Sequence, residues 1–486
     1  MKRLRLFETS LPGQSTRLSD ANDMLLTDWI TDDLPGSTLR LDGRWIRDAQ
    51  GRALLLRGFN LSADSKTPPY LPIPNEQHLD RLASWGMNCI RLVLVWEALE
   101  PRRGEYNQAY LDNMVTLAHA AWQRGIYTIV DMHQDLFSRE LGGSGAPPWA
   151  HPPVHRPRRP GRFWFSNYLI DNDVGYAFKR FWNNADFIRD SFVCAWQQVA
   201  RCFAGVEGVL GYDLFNEPST RFFPELISGH FDRVTLPEFY RQVAGAIRAV
   251  DPYRLILVEP SPRVLMLLPS LIGVKEEQLP LHQVKGLVYA PHIYDGVSVF
   301  LGRFYGVSAR LRGMLQLHLK IAARLRAACI IGEFGVLNYL RGADKLYAVT
   351  LDLFDRAMVN WVAWNYMVGG EHWNEEDISV VYPDGRERVH VDTLVRPYPR
   401  ATAGTPLGMS FDIDTHTFVF SYATDPKNSA PTEIYLPRRH YPHGFDLRLS
   451  RGLTAEYNAE RQLLYVQHAP DVKRGAVGVY ARRDDA

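Results

Sequence analysis

Cysteine is scarce: four residues in 486, Cys89, Cys194, Cys202 and Cys329, with neither a CxxC pair nor metal-ligand spacing. That argues against a disulfide framework and a structural zinc site, and the four read as small buried hydrophobes. Charge of one sign is also missing. Fifty-five basic residues face 54 acidic ones, a net charge of +1, so there is no electrostatic footprint of a nucleic-acid-binding protein. No apolar run approaches the length of a membrane span, and the basic residues of the N-terminus are followed by no apolar h-region. These absences point to the cytoplasm and leave room for peripheral contact with a membrane. No GxGxxG or Walker-type loop follows any strand-like run, which removes the usual nucleotide-binding reading, and no repeat or low-complexity tract is found.

What the chain has is length and aromatic content: 46% apolar residues and 12% aromatics, including 12 Trp and 23 Tyr. Flat rings suit a large core and equally suit stacking on sugars. From residue 54 onward, short apolar runs alternate with helical patterns, the signature of repeated βα units. Eight runs are counted: Leu54–Asn60, Asn88–Trp96, Tyr127–His133, Val209–Pro218, Arg254–Pro260, Gly286–Asp295, Ala328–Gly335 and Asn360–Met367. Helices are expected at Glu76–Trp85, Ala109–Arg124, Tyr176–Phe203, Leu236–Val250, Ala309–Leu325 and Arg341–Met358. The fold class is therefore α/β, a (β/α)8 TIM barrel over residues 39–396. Residues 1–38 read as an N-terminal extension. Beyond 396, alternating segments such as Thr417–Ala423, Glu433–Pro437, Phe445–Leu449 and Ala476–Ala481 predict a C-terminal antiparallel β-sandwich over 397–486.

The ends of the strand runs are crowded with polar groups, where a TIM barrel places its chemistry. They carry Arg91, His133 and Asp135, Asn216 and Glu217, His292 and Tyr294, Glu333, and Trp364. A lone buried His or strand-end Glu has a structural explanation, but all of these on separate strands would each need a buried partner. Glu217 and Glu333 can face each other across the mouth as the two carboxyl groups of a retaining glycosidase, one protonated and one ionised. Arg91 and Tyr294 would keep Glu333 ionised and able to attack, Asn216 could hold a sugar hydroxyl, and Trp364 would floor the sugar. The rival is a metal site at His133, Asp135 and His292, which no HExxH or His-x-His pair supports. No cofactor is expected.

In this order on these strands, Arg91, His133, the Asn216-Glu217-Pro218 triplet, His292, Tyr294, Glu333 and Trp364 resemble glycoside hydrolase family 5. The resemblance covers about residues 40–395 and implies an acid/base at Glu217 and a nucleophile at Glu333, with the other residues positioning the substrate. Within the family, the stretches from Asp131 to Arg139 and from Gly142 to Trp149 resemble the endoglycoceramidase-related group, and Lys66 matches a polar-headgroup contact there. Trp373-Asn374-Glu375-Glu376-Asp377 and Arg396-Pro397-Tyr398-Pro399-Arg400 look more like that group's intracellular glucosylceramidases and steryl glucosidases. Those enzymes carry large insertions that this compact chain lacks.

The resemblance implies a glycolipid substrate cleaved at its β-glucosidic bond. Trp373, Glu375 and Asp377 are expected to hold the hydroxyls of a terminal glucose, so that one glucose is released. Three stretches at the mouth are unusually apolar for loops: 222–227, 264–268 and 297–301. Exposed apolar clusters mark a ligand or membrane contact, and short helices packed on the barrel would look the same. The Pro/Arg loop 155–160 fits either an anionic membrane or plain solvation. An endoglycoceramidase, a β-glucanase or mannanase, and a non-catalytic carbohydrate-binding barrel are the alternatives, and the last is disfavoured because both glutamates are present. No obligate protein partner is evident.

Overall fold

A computed structural model describes residues 38–154, 164–220, 228–261, 270–272, 280–370, 374 and 376–482. Its centre is a closed parallel barrel of eight strands: β4 (Arg57–Leu61), β5 (Cys89–Val95), β6 (Tyr127–His133), β7 (Val209–Asp213), β8 (Leu255–Val258), β9 (Leu287–Tyr289), β10 (Ala328–Ile331) and β11 (Asn360–Tyr366). Seven lie within their runs predicted from sequence, and β4 extends one residue past the end of its run, Leu54–Asn60. Helices Gln77–Ser84, Gln108–Gln123, Leu236–Arg248, Ser308–Leu325 and Ala343–Ala357 match their predicted positions to within two residues at each end. No helix among the described residues is long and apolar enough to cross a membrane.

Two expectations are corrected. The single helix expected over Tyr176–Phe203 is two, Asn172–Trp182 and Ile188–Phe203. Between them Asn184, Asp186 and Phe187 take left-handed backbone angles, and Asn184 Oδ1 accepts the Asp190 N–H at 3.1 Å. An Asn that tolerates this conformation and caps the next turn outweighs the helical periodicity around it. The first run, Leu54–Asn60, divides between two sheets. Ala53–Leu54 (β3) leaves the barrel and pairs antiparallel with Tyr398–Thr402 (β12).

With the hairpin β1 (Arg40–Asp42) and β2 (Trp45–Arg47), β3 extends a seven-stranded sheet ordered β1-β2-β3-β12-β15-β18-β17, where β15 is Thr432–Tyr435, β17 Leu453–Asn458 and β18 Leu463–His468. A four-stranded sheet, β13-β14-β19-β16, joins Gly404–Asp412, Thr417–Thr424, Arg474–Ala481 and Phe445–Leu449. Alternation buries Phe418, Phe420, Val477 and Val479 on one sheet and Ile434, Leu464 and Val466 on the other, as a sandwich requires.

The same period of two builds the barrel interior in layers. Leu39, Leu41, Ile46 and Leu54 from the N-terminal hairpin region share a cluster with barrel residues Cys89, Ile129, Leu255, Leu257, Val288, Ile330 and Val362. One step of two residues further along, Cys89 gives way to Arg91, Ile129 to Asp131 and Leu257 to Glu259. An apolar floor thus carries a charged layer directly beneath the mouth.

Barrel and sandwich are joined by a buried ion-pair cluster. Arg57 of β4 pairs with Asp355 on the helix before β11. Arg396 Nη1 lies 3.1 Å from the other Asp355 oxygen, and the Arg57 guanidinium sits 4.4 Å over the Tyr398 ring. Removing Asp355 would leave two buried guanidiniums without their shared anion, a change that typically costs about 3–5 kcal/mol. Asp355→Ala should show that loss in urea unfolding followed by tryptophan fluorescence, and an unchanged midpoint would contradict it.

Candidate active site

Arg91 organises the charged layer. Its guanidinium, wholly buried, donates from Nε to Asp213 at 2.8 Å and from Nη1 to Asn60 at 3.0 Å and Glu333 Oε1 at 2.9 Å. Nη2 reaches Asp131 at 2.8 Å and Asn216 and Glu259 at 2.9 Å each. Four carboxylates around one cation leave an excess of negative charge, and the structure answers it with neighbouring protons. Burial raises Asp213 well above the carboxylate range against the pull of Arg91, with Glu259 and Asp131 adding to the rise.

Glu217 and Glu333 stand above this layer. The Glu217 peptide is tied on both sides: the Asn216 carbonyl accepts from Gln134 Nε2 at 2.8 Å, and Glu217 N–H donates to Glu259 Oε2 at 2.8 Å. This holds Glu217 at φ 43°, an uncommon conformation for a side-chain-bearing residue that persists only where partners enforce it. Glu333 is buried and has both oxygens engaged, Oε1 by Arg91 and Oε2 by the Tyr294 hydroxyl at 2.9 Å. An oxygen of each glutamate lies within 4.8 Å of the other. Such a spacing suits direct attack on a sugar and leaves too little room for the intervening water of an inverting enzyme.

His292 bridges the pair, with Nδ1 2.9 Å from Glu217 Oε1 and 3.6 Å from Glu333 Oε2. Burial opposes charge on this ring, but Glu259 and Glu333 outweigh it and raise its pKa well above that of a free histidine. Burial pushes Glu333 itself upward, against the cations of His292, Arg91 and His133. His133 belongs to a neighbouring group: Nδ1 lies 2.8 Å from Asp131 and the ring stacks on Trp364 at 5.2 Å and 9°. Lys66 Nζ sits 2.7 Å from Asp135 and 4.3 Å over the Trp364 ring. Burial resists the Asp135 charge, but Lys66 and His133 overcome it and hold that carboxyl far below its usual range.

The Gly-rich stretch after β6 supports Asp135. Ser144 pairs its backbone with Asp135 and donates its hydroxyl to Oδ2 at 3.1 Å. A Cβ at Gly143 would lie 1.7 Å from the Asp135 carbonyl oxygen, so only glycine permits the approach.

The structure therefore brings together Lys66, Arg91, His133, Asp135, Asn216, Glu217, His292, Tyr294, Glu333 and Trp364. His133 and Asp135 meet, Nε2 to Oδ2 at 3.4 Å, but His292 is turned instead toward Glu217, Glu259 and Glu333, so the three expected ligands do not form one set. Trp373 and Glu375 lie outside the described residues. Asp377 is corrected: it is exposed and bound to Arg388 at 2.7 Å and Asn338 at 3.1 Å. The neighbouring Glu376 comes to the site in its place. Burial, with Asp135 and Glu333 adding and Lys66 opposing, pushes its carboxyl up to about 7. Sequence reasoning also missed Asn60, Asp213 and Glu259. For Glu259 the signal was present, since Leu255-x-Leu257-x-Glu259 steps a carboxylate into the barrel interior.

Comparison with known proteins finds two matching family models, Cellulase (glycosyl hydrolase family 5) over residues 47–370 and the glycoside hydrolase family 5 C-terminal domain over 396–479. Endoglycoceramidase I of Rhodococcus hoagii is 32% identical over 86% of this chain and 83% of its own. A glucosylceramidase of Rhizopus delemar is 23% identical over 88% and 93%. The structure of endo-glycoceramidase II from Rhodococcus sp. with ganglioside GM3 superposes with a TM-score of 0.76 at 28% identity, covering 90% of this chain and 99% of that one.

Arg91→Met should destabilise the fold by about 3–5 kcal/mol, because it leaves a cluster of buried carboxylates uncompensated. Without Arg91 the folded-state pKa values of Asp213 and Glu333, already raised, rise further. The folded variant then binds more protons than the unfolded chain, so its stability falls as pH rises. The deficit in urea unfolding should accordingly be larger at pH 7 than near about pH 4, the ordinary carboxylate range. A deficit independent of pH would contradict this account.

Proposed function

The chain belongs to glycoside hydrolase family 5, a family of retaining glycosidases, and we propose that it cleaves the β-glucosidic bond between an unsubstituted glucose and a lipid aglycone, ceramide or sterol. The observation that carries the mechanism is the spacing of Glu217 and Glu333 within 4.8 Å. In this reading Glu333, held by Arg91 and Tyr294, attacks the anomeric carbon. The bond to the aglycone breaks as Glu217 delivers its proton to the departing oxygen. Glu217 then takes a proton from water as that water displaces Glu333, returning glucose with retained configuration. Lys66, His133, Asp135, Asn216 and Trp364 line the place of the sugar.

Release of a single glucose is supported by Glu376. Its carboxyl lies within electrostatic reach of Lys66, Asp135 and Glu333, where it can accept from hydroxyls of a terminal sugar. A further sugar on those hydroxyls would leave a buried acceptor unpaired. A second reading, an endoglycoceramidase that releases a whole oligosaccharide, is favoured by the higher identity to the Rhodococcus endo-enzymes. Lactosylceramide separates the two. The proposal expects glucose from glucosylceramide and intact lactosylceramide, whereas free lactose would establish endo action.

A lipid aglycone is supported by the loop after β9. Residues 297–301, one of the three apolar stretches noted above, lie in a short helix, Gly296–Leu301, that leaves Phe300 81% exposed with Val297 and Leu301 beside it and Tyr305 and Val307 following. The stretches at 222–227 and 264–268 and the Pro/Arg loop 155–160 lie outside the described residues. This apolar crown, on the face that holds the active site, also suits peripheral contact with a membrane. The cysteines are all free, which supports a cytoplasmic setting, but only Cys89 and Cys329 are buried as expected, Cys202 being half-buried and Cys194 exposed.

Two further outcomes are expected. Glu217→Gln should lose several orders of magnitude in kcat/KM, which reports formation of the glycosyl-enzyme, on substrates with poor leaving groups yet retain most of it on a dinitrophenyl glucoside, which needs little protonation. An equal loss on both would oppose the acid/base assignment. Covering on the order of 100 Å² of Phe300 and Leu301 contributes up to about 2.5 kcal/mol. Replacing both with Ser should therefore lower kcat/KM for glucosylceramide far more than for a short aryl glucoside, and equal effects would assign the helix to folding.

A further inference from the structure

Glu259, at the end of β8, takes no chemical step in the reading above, yet it touches every part of the acid/base assembly. Its Oε2 accepts the Glu217 N–H at 2.8 Å. Its Oε1 accepts Arg91 Nη2 at 2.9 Å and lies 3.3 Å from His292 Nε2. The opposite ring nitrogen, Nδ1, lies 2.9 Å from Glu217 Oε1 and 3.6 Å from Glu333 Oε2. One buried carboxylate thus reaches Glu217 twice, at its peptide and, through the imidazole, at its side chain. The Glu259 peptide is clamped in turn by Tyr240, whose hydroxyl donates to Glu259 O at 2.8 Å and accepts from Glu259 N–H at 3.2 Å.

We propose that Glu259 is a positioning residue that locks the Glu217 peptide in its left-handed conformation and keeps a cationic His292 between Glu217 and Glu333. The need arises from the movement of charge during turnover. Negative charge rests on Glu333 at the start and passes to Glu217 once the glycosyl-enzyme has formed. Arg91 touches only Glu333, whereas an imidazolium between the two faces whichever carboxylate is ionised. A neutral imidazole would do so poorly, and a fixed anion on its far side keeps it protonated through the cycle.

The groups facing these two residues come from several elements. Around His292 stand Glu217, Glu259 and Glu333, with His318 of the Ser308–Leu325 helix within electrostatic reach. Around Glu259 stand Arg91, His292 and Tyr240, with Asp213 within electrostatic reach and Asp131 bound to the same Arg91 nitrogen. Replacing Glu259 removes the negative charge beside His292 Nε2, and Asp213, within electrostatic reach of both His292 and Glu259, responds to the same change.

The catalytic meaning of this inference rests on the Glu217 assignment, and the first of its two readouts, the titration of His292, involves no turnover. In protein labelled with 15N-histidine, the His292 ring signals, identified by their loss in His292→Asn, should remain those of the doubly protonated ring across neutral pH. In Glu259→Gln the midpoint should fall by at least one pH unit. Glu259→Asp retains the charge and shortens the reach, so His292 should stay protonated. Its kcat/KM should fall at least ten-fold more on poor leaving groups than on a dinitrophenyl glucoside, because the Glu217 peptide is released. Identical His292 titration in the wild type and Glu259→Gln would overturn the proposal. So would an Asp variant with the leaving-group dependence of the wild type, which decides the matter alone if the Gln variant does not fold.

Discussion

Everything at the mouth of this barrel depends on one buried cation. The Arg91 guanidinium joins Asn60, Asp131, Asp213, Asn216, Glu259 and Glu333, residues carried by or following β4, β6, β7, β8 and β10. A planar fork of five N–H donors can hold such a ring of acceptors, and a lysine ammonium cannot. The arrangement sets Glu333 in place and fixes the amide of the residue before Glu217. Its cost is local: burial presses the carboxyls of Asp213 and Glu333 upward against the pull of Arg91, with Glu259 and Asp131 adding to the rise at Asp213 and Glu217 at Glu333. His292 and His133 carry the balance as buried rings beside carboxylates.

The architecture was legible because period-two and helical patterns report which face a residue presents. Eight apolar runs correspond to eight barrel strands, and the strand-end residues Arg91, Asn216, Glu217, Tyr294 and Glu333 meet where the topology requires. What could not be read was set by tertiary geometry. Nothing in Leu54–Asn60 reveals that Ala53–Leu54 pairs with β12 and that the strand resumes in the barrel only at Arg57, since Leu54, Leu55 and Leu56 lead into Arg57 with no turn residue between them. The break at Asn184 is likewise hidden within a helical pattern.

The acidic loop after β11 shows the limit most clearly. Three consecutive acids, Glu375, Glu376 and Asp377, offer no period by which to choose the one that faces the sugar. The choice falls largely to partners outside the loop: Asn338 and Arg388 hold Asp377 at the surface, while Asn374, two residues away, accepts the Glu376 N–H at 3.0 Å and the carboxyl lies within electrostatic reach of Lys66 and Asp135. Glu259 was overlooked for a different reason. Its role is read from contacts to a peptide, an imidazole and a guanidinium, and no short motif encodes such a set.

The central claim is that Glu333 becomes covalently bonded to the sugar. A 2-deoxy-2-fluoroglucoside with a good leaving group forms the glycosyl-enzyme readily and releases it slowly, so the intermediate accumulates. Intact-mass measurement after incubation should show one added fluoroglucosyl group, and digestion should place it on the peptide that contains Glu333. Labelling of Glu217 or Glu376 in place of Glu333, or turnover of the substrate with no covalent adduct at any time, would contradict the account.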